Sequence, residues 1–335
     1  MSVSREDETE PAEPEHIARL AVAAAVLAPS VHNTQPWWFS EEDHQISVHA
    51  DIERRLDVAD PDGREMLISC GAALFNIRVA LRHLGYVPVP GVLPDPERPA
   101  LVAHVRWGEQ AGTADYEEQL YRVIERRHAH RNGFLPDPPP ARVLAALREE
   151  AAREGAMLRI AGTGDERAAL AAAVQAAEHA ARLDPERAGE LARWTRPPGS
   201  PRQDGVPATG YPARPGHSEP DFPGRDFAHG HGWGLPPSMM APLHRSAGVV
   251  ALLVTNADQP ADWIGSGQAL QRVLLAASAN GVAAALHSQP LELPELREFI
   301  RLRLSDGACP QMLLRFGATD EVAASTRRPV EEVLL

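Results

Sequence analysis

Apolar residues recur at helical spacing in three parts of this chain. Ile17 to Leu27 is an Ala-rich stretch with Arg19 on the opposite side, and it predicts a helix. Two later stretches predict buried helices with a face of small residues, each ended by glycine: Ile68 to Gly85 and Ile264 to Gly281. Apolar strands follow each of them, namely Tyr86–Val92 and Ala100–Trp107 in the first case, Val282–Leu286 and Gln311–Gly317 in the second.

These two later helices are also similar in sequence. At one constant offset, six residue pairs coincide: Ile68 and Ile264, Gly71 and Gly267, Ala73 and Ala269, Leu74 and Leu270, Ala80 and Ala276, Gly85 and Gly281. The order of the following strands is shared as well. The sequence therefore predicts an internal repeat, with two similar halves in one chain.

A polar turn follows the first helix. Pro29 cannot continue that helix, because it lacks an N–H group and clashes with the preceding turn. Hydrogen-bonding side chains then follow in close succession at Ser30, Asn33 and Gln35, just before Trp37 and a second tryptophan. On the residues alone, this segment is either a structural loop whose tryptophans fill the core or a site for a flat heteroaromatic ligand.

Basic side chains cluster after a predicted helix at Tyr116 to Arg127. Arg127, His128 and Arg131 lie close together in the sequence, where they would repel one another unless they were exposed or faced an anion. A solvated helix end favoured by the helix dipole is one interpretation, and a phosphate site is the other.

Composition limits the classes of function. The chain has 335 residues and a net charge of −13, which argues against nonspecific nucleic-acid binding. No apolar stretch is long enough to span a bilayer, so no membrane partner is expected. Residues 1–15 are acidic and predict a disordered tail rather than a signal peptide. Cys70 and Cys309 lack metal-ligand spacing, and a reducing cytoplasm is expected.

The loop pattern P-S-x-x-N-x-Q-P-W resembles the flavin-ring loop of the nitroreductase superfamily, and most of the chain is similar to its Acg-type branch. The resemblance implies FMN as a noncovalent cofactor, with its ring near Pro29, Ser30, Val31, Asn33 and Gln35. It further implies phosphate contacts from Arg127, His128 and Arg131, and from the closing R-x-P segment with Thr326 and Arg328. The backbone of His287, Ser288 and Gln289 would face the N5 and O4 atoms of the ring.

The resemblance also implies the architecture. The first half carries the ring loop and the second half carries the arginines, so the chain is expected to be a fused pseudo-dimer with one FMN site. We expect an α+β fold, a nitroreductase-like α/β/α sandwich in two tandem halves (16–110 and 111–335) that form an internal pseudo-dimer, so that the protein is a monomer.

A long segment of unusual composition lies inside the second half. Residues 196–237, called the linker below, hold ten Pro and eight Gly, which predicts little regular structure. Tyr211, Phe222, Phe227 and Trp233 favour a partly ordered lid. The pairs His128–His130 and His229–His231 lack a third ligand at convincing spacing, so no metal is expected.

Two functions remain open on the sequence. In the first, the protein is an oxidoreductase that passes hydride from NAD(P)H through FMN to a nitro, quinone or enone acceptor. No catalytic side chain is then required, because the flavin carries the chemistry. In the second, the protein binds or sequesters FMN beneath a lid, with little or no turnover.

Overall fold

The computed structural model describes residues 14–211, 222–228, 231–236, 246–320 and 325–335. The predicted tail at residues 1–15 lies outside this part except for its last two residues, which begin the first helix. His229 and much of the linker also lie outside it.

Eight α-helices and ten strands lie along the described part of the chain. The helices are α1 (Pro14–Ala25), α2 (Arg64–His83), α3 (Asp115–Arg122), α4 (Ala141–Arg153), α5 (Gly164–Leu183), α6 (Pro185–Trp194), α7 (Pro260–Ala279) and α8 (Pro294–Leu304). The strands are β1 (Trp37–Glu42), β2 (Gln45–Ala50), β3 (Val89–Val92), β4 (Leu101–Arg106), β5 (Met157–Ile160), β6 (Thr195–Arg196), β7 (Val206–Pro207), β8 (Val249–Thr255), β9 (Ala283–His287) and β10 (Cys309–Gly317).

Eight of the strands form two antiparallel sheets with matching order, and β6 and β7 form a separate short parallel pair. The first sheet runs β1-β2-β4-β3, and the second runs β5-β8-β10-β9. In each half, a helix precedes the first strand and a long helix lies between the second and third strands, α2 in one case and α7 in the other. The second half differs by insertions, with α5, α6 and the linker after β5 and α8 after β9. The expected α+β fold in two tandem halves is confirmed.

One hydrophobic core extends through both halves. It joins apolar residues of α1, α2, α4 and α7 with the inward faces of both sheets. A second cluster packs α5, α8 and Phe222 of the linker against the other face of the second sheet. The corresponding face of the first sheet holds half-buried side chains such as Trp38, Ser40 and His49. No helix among those described is long and apolar enough to cross a membrane.

The two halves meet where α2 and α7 cross at a pair of glycines. A Cβ atom on Gly71 would lie 2.1 Å from the carbonyl oxygen of Ile264, and one on Gly267 would lie 2.0 Å from that of Ile68. Ile68 and Gly71 match Ile264 and Gly267 in the repeat, so each half makes the same contact with the other. This reciprocity is that of a two-fold dimer interface, here formed within one chain.

The chain also crosses between the halves near residue 334. Phe39 in β1 donates its N–H to the carbonyl of Val333 and accepts a hydrogen bond from the N–H of Leu335. Residues 325–335, which sequence analysis assigned to the second half, therefore pack on the first sheet. As a result, the segment around residue 327 passes the end of α1, where Arg327 donates to the carbonyl of Ala28.

Replacing Gly71 by alanine should cost about 3 kcal/mol of unfolding free energy or more, because the new methyl group would overlap backbone atoms of α7. Gly265→Ala in the same pair of helices is the matched control. Its Cβ would meet nothing closer than the Glu154 carbonyl at 4.0 Å, and removing a helical glycine should stabilise the protein by about 0.5–1 kcal/mol. Urea unfolding measures the unfolding free energy of both variants, and similar values for the two would contradict the close helix crossing.

Candidate functional site

The loop after α1 adopts a tight and strained conformation. His32, Asn33 and Gln35 have positive φ values of 47°, 57° and 50°, which are unusual for residues with side chains. The Ser30 hydroxyl accepts a hydrogen bond from the backbone N–H of Gln35 at 3.0 Å and so closes the turn. The Ser30 side chain, which the sequence predicted to contact the flavin ring, thus stabilises the loop itself.

The side chains of Asn33 and Gln35 bind two distant segments. Asn33 Nδ2 donates to the carbonyls of Gly205 in the linker, at 3.1 Å, and Thr326, at 3.2 Å. Gln35 Nε2 donates to the carbonyl of Gln203 at 3.1 Å. Asn33 Oδ1 has no hydrogen-bond partner among the described residues, although it is buried. The loop, the linker and the segment around residue 326 therefore meet at one place.

Two arginines bind the end of α1 beside this loop. Arg127 Nη2 donates to the carbonyl of Leu27 at 3.1 Å, and Arg327 Nη2 donates to the carbonyl of Ala28 at 3.2 Å. Pro29 and Val31, the next predicted contacts, are half-buried. The structure thus brings the first-half loop and the basic residues of the later sequence next to each other.

Arg127, Arg131 and Arg327, called the arginine trio below, form a group of like charges that is largely shielded from solvent. Arg127 is 5% exposed, and the other two are half-buried. Burial, followed by repulsion from Arg131, lowers the pKa of Arg127 to about 10. Burial lowers the pKa of Arg131 to about 10 as well. Burial and then the charges of both other arginines lower the pKa of Arg327 to about 9.

The trio has no acidic counterpart in the part of the chain that the structure describes. No ion pair involves these three guanidinium groups there, and the Nε atoms of Arg127 and Arg327 lack hydrogen-bond partners. Buried charges are normally paired, because leaving water costs several kcal/mol per ion. All three remain protonated at neutral pH. The arrangement fits an anion from outside the chain, such as a phosphate group, and the orphaned donors fit its oxygens.

His128 lies against the trio without adding charge. Burial, and then the positive charges of Arg127 and Arg327, lower its pKa to about 4. The imidazole is therefore neutral at pH 7, and its buried Nδ1 lacks a partner among the described residues.

Arg328, which the sequence assigned to the phosphate, lies elsewhere. Its Nη2 donates to the backbone carbonyl of Glu332 at 3.1 Å, and its Nε lies 3.5 Å from the side-chain carboxylate of the same residue. The buried Nε and Nη1 atoms of Arg328 have no hydrogen-bond partner among the described residues. Its backbone N–H donates to Gln35 Oε1 at 2.8 Å. Successive side chains point to different sides here, so Arg327 lies near Arg127 and Arg131, whereas Arg328 lies near Arg54 and Asp51. Thr326 is exposed, and its hydroxyl donates to the Gln203 carbonyl while it accepts from Arg196.

The predicted helix at Tyr116–Arg127 is shorter than expected. The helix α3 ends at Arg122, and turns with bonds three residues apart follow, such as Arg126 N–H to the Val123 carbonyl. Arg127 and Arg131 therefore do not lie on a helix end. A favourable helix dipole cannot account for their clustering.

The segment 287–289 directs its side chains away from solvent. Arg315 donates from Nε to His287 Nε2 at 2.8 Å, and burial followed by the charge of Arg315 keeps the pKa of His287 well below its ordinary value. Ser288 donates to Glu292 at 2.8 Å, and Gln289 donates to Glu178 at 3.1 Å. The Ser288 hydroxyl and the Gln289 Nε2 are thus engaged within the protein, which leaves the backbone of both residues for a ligand.

Sequence analysis did not identify several residues that build this region. Arg327 is the sequence neighbour of Arg328, which was predicted, and only the path of the folded chain directs the two side chains to different places. His32 and Arg225 gave no pattern that distinguished them from ordinary loop residues, and Tyr211 was predicted only as an aromatic residue of a lid. Tyr211 is 2% exposed and packs against Phe227, and its buried hydroxyl lacks a partner among the described residues.

Comparisons with known proteins identify relatives across nearly the whole chain. The chain is 34% identical over 323 residues to the Mycobacterium tuberculosis protein named "Putative NAD(P)H nitroreductase Rv3131", covering 94% of this chain and 90% of that protein. It is 29% identical over 325 residues to the M. tuberculosis protein named "Putative NAD(P)H nitroreductase acg", covering 95% of each.

Solved structures give weaker similarity. The FMN-dependent nitroreductase NfnB from Mycobacterium smegmatis, crystallised in complex with NADPH, is 18% identical at a TM-score of 0.39, covering 65% of this chain and 97% of NfnB. No protein-family model matches the chain.

If the arginine trio binds anions, inorganic phosphate should stabilise the protein against thermal unfolding. The expected gain is about 1.4 kcal/mol at a phosphate concentration about ten times the dissociation constant. Arg327→Met should lose this gain, since it removes one of the three charges, and differential scanning fluorimetry measures it.

Arg328→Met is the matched control, because the neighbouring side chain faces Glu332 instead. It should keep the phosphate response of the wild type. The opposite result, with the response lost in Arg328→Met and kept in Arg327→Met, would contradict the assignment of the trio.

Proposed function

Because the chain belongs to the nitroreductase family, we propose that it is an FMN-dependent oxidoreductase. It would take hydride from NAD(P)H and pass it to a small nitro, quinone or enone acceptor, with one FMN per chain. The observation that carries the proposal is the arginine trio, a buried cluster of three positive charges without acidic partners among the described residues. A phosphate monoester provides the matching charge.

In this proposal, the trio holds the phosphate of FMN, and the neutral His128 adds a donor or acceptor without further charge. The buried Asn33 Oδ1, which lacks a partner among the described residues, is available to a ring N–H group. The backbone N–H groups of Ser288 and Gln289 would meet the opposite edge of the ring. Bound FMN would supply the hydride-transfer chemistry itself.

This chain's own residues would then bind, orient and shield the cofactor. Arg127 and Arg327 are fixed by the carbonyls at the end of α1, so the position of the phosphate is set by the first half. Preorganised donors of this kind stabilise negative charge without rearrangement. We further propose that the halves 16–110 and 111–335 arose by duplication and that the protein acts as a monomer in the cytoplasm.

The contact between the linker and the ring loop favours a second candidate, an FMN-sequestering protein with little turnover. Linker carbonyls at Gln203 and Gly205 already accept the amide donors of Gln35 and Asn33. Arg54 strengthens this contact, since it donates to both the Thr34 carbonyl and the linker carboxylate of Asp204 at 2.9 Å. A linker held over the loop would restrict access of NAD(P)H to the ring.

The purified protein should release one FMN per chain on acid treatment, and anaerobic NADPH or NADH should bleach its visible absorbance. Arg131→Ala should lower the FMN content, because it removes one of the charges that face the phosphate. A colourless protein that takes up no added FMN would contradict the proposal.

Flavin that stays oxidised with NAD(P)H but is reduced by dithionite would support sequestering instead. In that case Arg54→Met should restore reduction by NADPH, because it releases the linker from the loop. The matched control is Arg55→Met, since Arg55 pairs only with Asp57 in the described structure and does not touch the linker. Equal rates of flavin reduction by NADPH in both variants would contradict the idea that the linker limits access to the ring.

A further inference from the structure

A buried arginine of the linker joins two carboxylates of the second half. Arg225 donates to both oxygens of Glu292, from Nη2 at 2.7 Å and from Nη1 at 3.2 Å. Its Nε lies 3.4 Å from Glu178 Oε1. The side chain of Arg225 is 9% exposed and those of both carboxylates are 3% exposed. Such a shielded, bidentate ion pair has a fixed geometry.

The same two carboxylates hold the segment 287–289. Glu292 Oε1, which receives Arg225, also receives the hydroxyl of Ser288. Glu178 Oε1, beside Arg225 Nε, also receives Nε2 of Gln289. The backbone N–H of Asp226 donates to the other oxygen of Glu178 at 3.2 Å. Each carboxylate thus links one residue of the segment to the linker.

Arg225 also reaches the strained loop after α1. Its Nη1 lies 3.4 Å from Nε2 of His32, whose ring packs edge-on against Phe227. Burial, followed by the charge of Arg225, lowers the pKa of His32 to about 3, so the imidazole is neutral. A neutral ring can accept from the guanidinium at Nε2.

The opposite charges of Arg225 and the two carboxylates stabilise the arrangement in which they are paired. Burial alone would lower the pKa of Arg225, but Glu292 and Glu178 raise it above its ordinary value. Burial opposes ionisation of Glu292, yet Arg225 keeps its pKa below the ordinary value. Removing the arginine would leave two buried carboxylates without this shared partner, which is strongly destabilising in such a network.

We propose that Arg225 is a positioning residue of the flavin site, which holds the segment 287–289 through Glu292 and Glu178 and the loop at His32 in one fixed arrangement. The inference rests on the proposed function, in which that segment and that loop lie on opposite edges of the FMN ring. Arg225 touches neither the cofactor nor the reacting atoms, and it acts through the backbone of Ser288 and Gln289.

The test uses Arg225→Lys, which keeps the charge but loses the fork that grips both carboxylates, and so avoids the full cost of an unpaired buried acid. The FMN dissociation constant should rise by about tenfold or more, and the midpoint potential of bound FMN should shift. A merely structural loss of stability would not move the potential of the folded, flavin-bound fraction. Arg182→Lys is the control, because Arg182 is exposed and makes one loose ion pair with Asp226 at 3.7 Å.

Hydrogen exchange of the apo-protein provides a readout that needs no flavin. In Arg225→Lys, amides in peptides covering 284–293 and 30–35 should exchange faster, whereas those of β10 should not change. The proposal would be overturned if the amides of Arg225→Lys exchanged at wild-type rates. It would also be overturned if the bound FMN of this variant kept the wild-type midpoint potential and dissociation constant. If the wild type takes up no FMN, the proposed function fails, and exchange alone decides whether Arg225 holds these segments.

Discussion

The close crossing of α2 and α7 is the constraint on which the rest of the structure depends. At Gly71 and Gly267 the backbones approach so closely that no side chain fits between them. The crossing fixes the relative position of the two sheets and makes one core of both halves. The loop after α1 and the arginines of the second half meet across these two halves. A looser crossing would separate the loop after α1 from the arginines that meet it.

The arginine trio depends on that fixed geometry in a direct way. Like charges can be held together in a protein interior only when the surrounding fold is stable enough to meet the cost. Here two of the guanidinium groups are bound by carbonyls at the end of α1, and no carboxylate in the described chain neutralises them. An acidic protein with a net charge of −13 thus maintains a local positive site, as binding of an anionic cofactor requires.

Much of the fold could be predicted from the sequence because its signals are local. Helical periodicity located α1, α2 and α7, and the repeated Ile-Gly-Ala-Leu pattern indicated the two halves. The polar loop at residues 29–35 could be found from its crowded hydrogen-bonding side chains. The helices α5 and α6, by contrast, are insertions into one half, and no repeat in the other half indicates them.

The details of the site could not be predicted, because they depend on contacts between residues far apart in sequence. The R-x-P pattern that ends at Pro329 has Arg327 as its arginine, but the direction in which Arg327 and Arg328 point depends on how the chain crosses to β1. Arg225 lies in a Pro- and Gly-rich segment, and its partners Glu178 and Glu292 are 47 and 67 residues away. Only folding brings these three together.

The crossing of the segment at residues 325–335 has a consequence for how the protein matures in the cell. The ring loop is synthesised first, Arg127 and Arg131 later, and Arg327 about 200 residues after Arg127. A nascent chain that lacks residue 327 has an incomplete anion site, however well its first sheet has formed. Cofactor loading would therefore follow the synthesis of Arg327, and a flavin-bound molecule would be one whose translation had passed this residue.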